Sequence, residues 1–304
     1  MSESLRAKSK GPPPRPSALE EWLASRLFFV MSPHMVWMEQ PDPPSGLLPF
    51  EPVEIARTAG TGVLTATWYP ATGEARGVVL LLHPWLAWGK SYFYRRGRIQ
   101  ALRAAGYAAL AVDLPGFGGS GPRAGLMDRD IEAAVAYLLR RAGGLPVHLW
   151  GGSSGGYWAH PVLSRVAGVS GAMFEDVSSH LITWSWRRLP LKRPLYVFFL
   201  VFFRRAFRYL DLRRHAPFLR LDAVAYASGE KDLGVLPEET RELARLAGGK
   251  SLIVPGADHL AAIKVANEEV IGLALETFRA AEALTPPAPL SQPSTPPAGE
   301  RGET

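Results

Sequence analysis

Val147-His148-Leu149-Trp150-Gly151-Gly152-Ser153-Ser154-Gly155-Gly156 is the stretch on which the reading of this chain turns. An apolar run stops at a glycine–serine cluster, and a helix-compatible run, Tyr157-Trp158-Ala159-His160, follows at once. Gly151 to Gly155 fits G-x-S-x-G, the pattern in which a serine sits on a sharp strand-to-helix turn with its hydroxyl exposed above a sheet. Small residues suit such a turn because they let the chain reverse tightly and let neighbouring backbone come close. With the strand read as 147–150, Ser153 is the central serine. Ser154 also satisfies the pattern, between Gly152 and Gly156, if the strand is one residue longer. A plain Gly/Ser loop would carry the same residues, so the flanking elements have to decide.

Those elements alternate. Residues 53–57 and 62–69 read as a strand pair with a turn at 58–61. Residues 77–83 form a continuous apolar run between turn residues, the pattern of a strand covered on both faces. A helix is expected from Tyr92 to Ala105, stopped by Gly106, and a second buried strand from Tyr107 to Val112. The loop Asp113-Leu114-Pro115-Gly116-Phe117-Gly118-Gly119-Ser120 follows. Asp128 or Asp130 can cap a helix to about Arg141. After the elbow come a helix to about Val166 and a strand over 168–175. Residues 222–228, 238–247, 250–254 and 260–284 then read strand, helix, strand, helix. Alternation of this kind implies an α/β fold, with a mainly parallel central sheet and helices on both faces.

Beyond each strand's carboxyl end lie the residues that could serve the serine. A serine hydroxyl is a weak nucleophile and needs a base within hydrogen-bond reach, itself oriented by a third group. Strand 222–228 runs into Gly229-Glu230-Lys231-Asp232, and strand 250–254 into Gly256-Ala257-Asp258-His259. In open α/β sheets the site lies outside the carboxyl ends of the strands. Ser153, Asp232 and His259 all fall there, in the chain order Ser, acid, His. Asp176, just after strand 168–175, is the alternative acid. Asp258 adjoins His259 and is poorly aimed at its ring; capping the next helix suits it better. His34, His148, His160, His180 and His215 show no partner pattern and read as structural.

On these motifs, together with Leu81-Leu82-His83-Pro84-Trp85, the chain resembles the α/β-hydrolase superfamily over about residues 50–180 and 220–284. The resemblance implies a serine hydrolase of esterase or lipase type that works without a cofactor or metal. It makes Ser153 the nucleophile, His259 the general base and then acid, and Asp232 the residue that fixes the imidazole tautomer. It assigns the oxyanion hole to the backbone N–H groups of Ser154 and Trp85. The family's usual glycine after the histidine is Pro84 here, which has no N–H, so the donor is the next residue. His83 is expected to brace that loop, and Asp113 and its glycines to shape another beside the site. Trp88, Tyr92, Trp184 and Trp186 are pocket candidates. A peptidase of aminopeptidase type, a carbon–carbon bond hydrolase and a non-catalytic binding protein remain open on the same scaffold.

The expected organisation is an N-terminal arm and helix (1–45), a first core part (46–179), a helical cap insertion (180–218), a second core part (219–284) and a Pro-rich, disordered tail (285–304). Ser17 can cap the N-terminal helix, read from Ala18 to about Met31. In the insertion, residues 195–203 are nine consecutive apolar residues between Lys192-Arg193 and Arg204-Arg205. Nine is far short of the ~20 needed to span a bilayer. Cap core and dimer contact, an acyl pocket, and an interfacial membrane contact all remain open for it. With 304 residues, no cysteine and a formal net charge of +6, the chain can hold a large core and no disulfide. No nucleic-acid motif accompanies the basic charge, so a nucleic-acid partner is not expected. The expectation is a cytoplasmic protein, with a membrane-peripheral location open, acting on a small-molecule or lipid-like ester.

Overall fold

The computed structural model describes residues 11–23, 48–85, 88–123, 125–188 and 190–284. The C-terminal tail, the first ten residues, the helix beyond residue 23, His34 and the proline link at 41–44 lie outside the described residues. An eight-stranded sheet in the order β1-β2-β4-β3-β5-β6-β7-β8 organises the chain. The strands are β1 (Glu51–Ala56), β2 (Val63–Tyr69), β3 (Gly77–Leu82), β4 (Tyr107–Val112), β5 (Val147–Gly152), β6 (Val169–Glu175), β7 (Ala223–Gly229) and β8 (Lys250–Val254). β1 and β2 pair antiparallel, β2 lies antiparallel to β4, and every other pairing is parallel.

β3 and β4 are apolar and buried throughout because both faces are covered. Successive side chains point to opposite sides of a strand. Val78, Leu80 and Leu82 of β3 enter one core layer, with Ala108, Leu110 and Val112 of β4. Val79 and Leu81 enter the other, with Tyr107, Ala109 and Ala111. Helices Asp128–Ala142 and Ser154–Leu163 cover the first layer, and helices Arg98–Ala104 and Asn267–Leu284 cover the second.

Several elements differ from the reading of the sequence. The helix expected over 92–105 is two, Ser91–Arg95 and Arg98–Ala104, because Gly97 takes a left-handed φ of 73° between them. The helix expected over 260–284 is likewise Ala262–Val265 and Asn267–Leu284, broken at Ala266. β5 runs two residues further than 150, through both glycines, and the helix after the elbow ends at Leu163. Neither Asp128 nor Asp130 caps its helix; the N-cap position is Met127. Both carboxylates sit in the first turn instead, where Asp128 receives Arg15 at 3.1 Å and Asp130 receives Arg57 at 2.7 Å. Ser17 does cap, in a reciprocal box with Glu20: its amide donates to the Glu20 carboxylate at 3.0 Å, and the Glu20 amide donates to its hydroxyl at 3.3 Å.

Between β6 and β7 the chain inserts helices Leu181–Arg188, Arg193–Phe202 and Arg204–Tyr209 with short 3₁₀ turns. Among the described residues no helix is long and apolar enough to cross a membrane.

Candidate active site

The turn after β5 is built by close approach. A Cβ on Gly155 would collide with the Leu82 carbonyl oxygen, and one on Gly151 would lie 2.5 Å from the Gly156 Cα. Only glycine fits where backbone meets backbone at this range. Ser153 pivots between β5 and helix Ser154–Leu163 with φ 42° and ψ −110°, a conformation that costs a non-glycine residue energy. Its amide donates to the Glu175 carbonyl at the end of β6, at 2.7 Å, which pins the turn to the neighbouring strand.

That turn presents the Ser153 hydroxyl to His259, whose Nε2 lies 3.1 Å from Oγ. On the ring's other side, Nδ1 lies 2.5 Å from Asp232 Oδ2. The second Asp232 oxygen accepts the amides of Gly234 at 2.7 Å and Val235 at 3.1 Å. A carboxylate can only accept, so Nδ1 carries the proton and Nε2 is left to accept from the serine. Burial alone would push the Asp232 carboxyl up. The His259 hydrogen bond and charge, with the Val235 and Gly234 amides, together outweigh it and hold the group below its ordinary range. The structure thus brings Ser153, His259 and Asp232 together from the ends of three strands, as the sequence suggested. Ser154 opens the helix, and its hydroxyl finds no hydrogen-bond partner among the described residues.

Asp176, the alternative acid, has other partners. Its two oxygens accept the Gly229 amide at 3.1 Å and the Leu260 amide at 3.0 Å, so it ties the end of β7 to the residue after His259. Burial, set against the His259 charge and reinforced by Asp232, raises its carboxyl to about 7. Asp176, Asp232 and His259 offer ligand atoms within 4.8 Å of one another, a spacing a cation could bridge. Both Asp176 oxygens and both Asp232 oxygens already accept hydrogen bonds. Asp258 accepts the His259 amide at 2.7 Å; the helix that follows has its N-cap at Ala261, so Asp258 does not cap it.

The loop after β3 meets the elbow from the other side, with the Pro84 ring over Gly152. His83 is fully buried. Its Nε2 accepts the Leu114 amide at 2.9 Å, so its Nδ1 donates to the Pro84 carbonyl at 2.7 Å. One imidazole therefore ties the loops after β3 and β4, and burial keeps it neutral by lowering its pKa. Asp113 adds a second tie, accepting the Lys90 amide at 2.9 Å and the Thr65 hydroxyl at 3.0 Å. The Trp85 ring packs edge-on against Phe117, with the Arg123 guanidinium over it.

The pocket candidates scatter. Trp184 comes to 6.2 Å from the His259 ring, centroid to centroid. Trp88 stacks with Arg95 and Arg96. Trp186 lies at the surface beside Arg193. Tyr92 is enclosed in the core beneath the elbow, its hydroxyl facing Arg98. Among the described residues, the histidines read as structural have partners of their own, such as Tyr226 for His160 and Glu282 for His148.

One group has no counterpart in the sequence reading. Arg98 is wholly buried and forms two 2.6 Å contacts with Glu175, a residue that also accepts the Trp150 indole N–H. The guanidinium lies over the Trp150 and Tyr92 rings at 4.9 and 5.4 Å. This ion pair sits directly under the Ser153 turn, since the Glu175 carbonyl holds the Ser153 amide. Nothing in the local sequence pairs an arginine on one helix with a glutamate 77 residues away.

A model of the alpha/beta hydrolase family matches residues 79–273, well over half of the chain. No curated protein matches it in sequence. Among solved structures, an esterase of Pyrococcus furiosus superposes with a TM-score of 0.64 at 20% identity, over 80% of this chain and 96% of that one. The α/β hydrolase GrgF of Penicillium sp. sh18 gives 0.61 at 13% identity, over 78% and 100%. A Pyrococcus horikoshii acylaminoacyl peptidase gives 0.57 at 16% identity, over 77% and 42%. At these identities the likeness is one of fold.

Proposed function

The chain belongs to the alpha/beta hydrolase family, and from that premise we propose that it hydrolyses a carboxylic ester with an apolar acyl or alcohol part, using Ser153 as nucleophile. The observation that carries the proposal is the relay from Ser153 Oγ through His259 to Asp232, at 3.1 and 2.5 Å. Ser153 Oγ attacks the ester carbonyl carbon while its proton passes to His259 Nε2. The oxyanion that forms faces the amides of Ser154 and Trp85, each donor of this kind being worth about 3 kcal/mol in the transition state. The carbon–oxygen bond then breaks, and Nε2 returns the proton to the departing alkoxide. Water attacks the acyl-serine as its proton passes to Nε2; the acyl–Oγ bond then breaks and Nε2 returns that proton to Oγ, releasing the acid and restoring the hydroxyl. Asp232 keeps Nδ1 protonated throughout and stabilises the imidazolium.

Within this reading residues 180–218 act as a cap. Trp184 near His259 and Trp85 on the opposing loop supply apolar surface for the substrate. A series of nitrophenyl esters of increasing acyl length, assayed beside amino-acid anilides, tests it. Turnover of the longer esters is expected, with a drop of ~10⁴-fold or more in Ser153→Ala. Activity that survives in Ser153→Ala, or a preference for short charged acyl groups or for anilides, contradicts it.

A further inference from the structure

Helix Arg193–Phe202 is apolar on both sides. Its inner side is accounted for: Tyr196 is buried, and Ala206 and Tyr209 of the next helix are buried with it. Among the described residues, its outer side is not. Val197, Phe198, Val201 and Phe202 are half exposed or more, and their spacing of i, i+1, i+4 and i+5 sets them in one stripe. Leu191, 96% exposed, stands just before the helix. A contiguous exposed apolar face marks an interaction site, whereas scattered single residues do not.

Charge identifies the partner. From Val177 to Leu210 the chain holds seven cations, Arg187, Arg188, Lys192, Arg193, Arg204, Arg205 and Arg208, and no Asp or Glu. Arg193, Arg204, Arg205 and Arg208 are exposed. Among the described residues no carboxylate pairs with Arg204, Arg205 or Arg208. Aromatic and aliphatic residues on a helix face, bracketed by arginines, match the boundary between lipid headgroups and acyl chains. A second copy of this chain does not match, because stacking two such faces would set cation against cation with no acid between. At ~1.5 Å per residue the ten-residue helix is ~15 Å long, half of a hydrocarbon core, so it can lie in the surface and not cross it.

We propose that the outer face of helix Arg193–Phe202, with the arginines that flank it, is a docking surface for an anionic lipid bilayer. The helix enters the headgroup layer with Phe198 and Phe202 inserted and the arginines against phosphates. The same insertion carries Trp184 beside His259, so docking sets the candidate site against the membrane. The docking itself does not depend on Ser153 chemistry.

Flotation of full-length Ser153→Ala protein with vesicles tests this without altering the lipid. One set is phosphatidylcholine alone, the other equal parts phosphatidylcholine and phosphatidylglycerol. Binding is expected to the mixed vesicles and not to the neutral ones, weakening as salt is raised. Adding Phe198→Glu and Phe202→Glu should cut the bound fraction by ~10-fold or more, and Arg204→Gln with Arg205→Gln should lower it too. Leu284→Glu, at an exposed apolar residue outside the insertion, should leave it unchanged. Thermal unfolding of each variant identifies any that fails to fold, and the two pairs of substitutions are independent of each other. No flotation, or flotation indifferent to both pairs, overturns the proposal. So does concentration-dependent self-association abolished by the two Phe changes, which would assign the face to a second copy. Absence of ester hydrolysis by the unaltered protein would count against Ser153 and leave the docking result standing.

Discussion

Two buried carboxylates flank His259, and their partners separate their roles. Asp232 bonds the ring itself, whereas Asp176 bonds only backbone, at Gly229 and Leu260. Asp232→Asn is expected to reverse the tautomer preference of the imidazole and lower kcat by ~10⁴-fold while the fold persists; steady-state kinetics with a circular dichroism control checks this. Asp176→Asn should act more mildly on rate and show itself in stability. Burial raises the Asp176 carboxyl to about 7, from an unfolded value near 3.9. Between those limits the folded protein holds a proton that the unfolded chain has lost, so this group's contribution to stability falls as pH rises through the window. An asparagine has no such proton. The stability advantage of the wild type over Asp176→Asn should therefore shrink from about pH 5 to about pH 8, by an amount on the order of a few kcal/mol at most. Denaturant melts at both pH values measure it, and an advantage that grows with pH contradicts the account.

At the scale of elements, the elbow joins β3, β5 and β6. A methyl on Gly155 has no room against the Leu82 carbonyl. Gly155→Ala should cost at least about 1–3 kcal/mol, as overpacking does, and should impair activity because the Ser153 turn must shift; a thermal melt beside an ester assay reads both. Beneath the elbow, Arg98→Met would leave Glu175 buried without its counter-charge. Losing one partner of such a pair costs about 3–5 kcal/mol, and double substitution with Glu175→Gln should recover part of it. These elements show what the sequence displays and what it hides. Close backbone approach forces glycine, so Gly151, Gly155 and Gly156 mark the turn in the sequence. The strand ends were legible for a similar reason, because apolar runs stop where chemistry-bearing residues begin at Asp232 and His259. The break at Gly97 was not, since a glycine inside a helical pattern is often tolerated. Asp128 and Asp130 looked like caps, yet Arg15 and Arg57 claim them from over 70 residues away. The Arg98–Glu175 pair was invisible for the same reason: it exists only once two distant elements are packed.

For the molecule as a whole, Glu282 ties helix Asn267–Leu284 to the central strands. Glu282 receives Arg76, the Tyr107 hydroxyl and His148. Burial would raise its pKa, but His148, Tyr107 and Arg76 together bring it down to about 2, below an unfolded value near 4.3. Its contribution is complete above about pH 4.3 and is lost as pH falls toward about 2, where the folded state must finally take up the proton. Glu282→Gln should flatten the acid limb of the stability curve there, removing about 1–3 kcal/mol of pH dependence, as acid titration followed by circular dichroism would show. Ser153, Asp232 and His259 meet at one edge of the sheet, and Trp184 of the insertion comes to 6.2 Å from the His259 ring.

That Ser153 is an activated nucleophile is most directly tested by intact-protein and peptide mass spectrometry after exposure to a fluorophosphonate. The account predicts one covalent adduct per chain, located at Ser153, absent from Ser153→Ala and strongly slowed in Asp232→Asn. Folded protein that takes up no adduct, or an adduct located at Ser154, would contradict it.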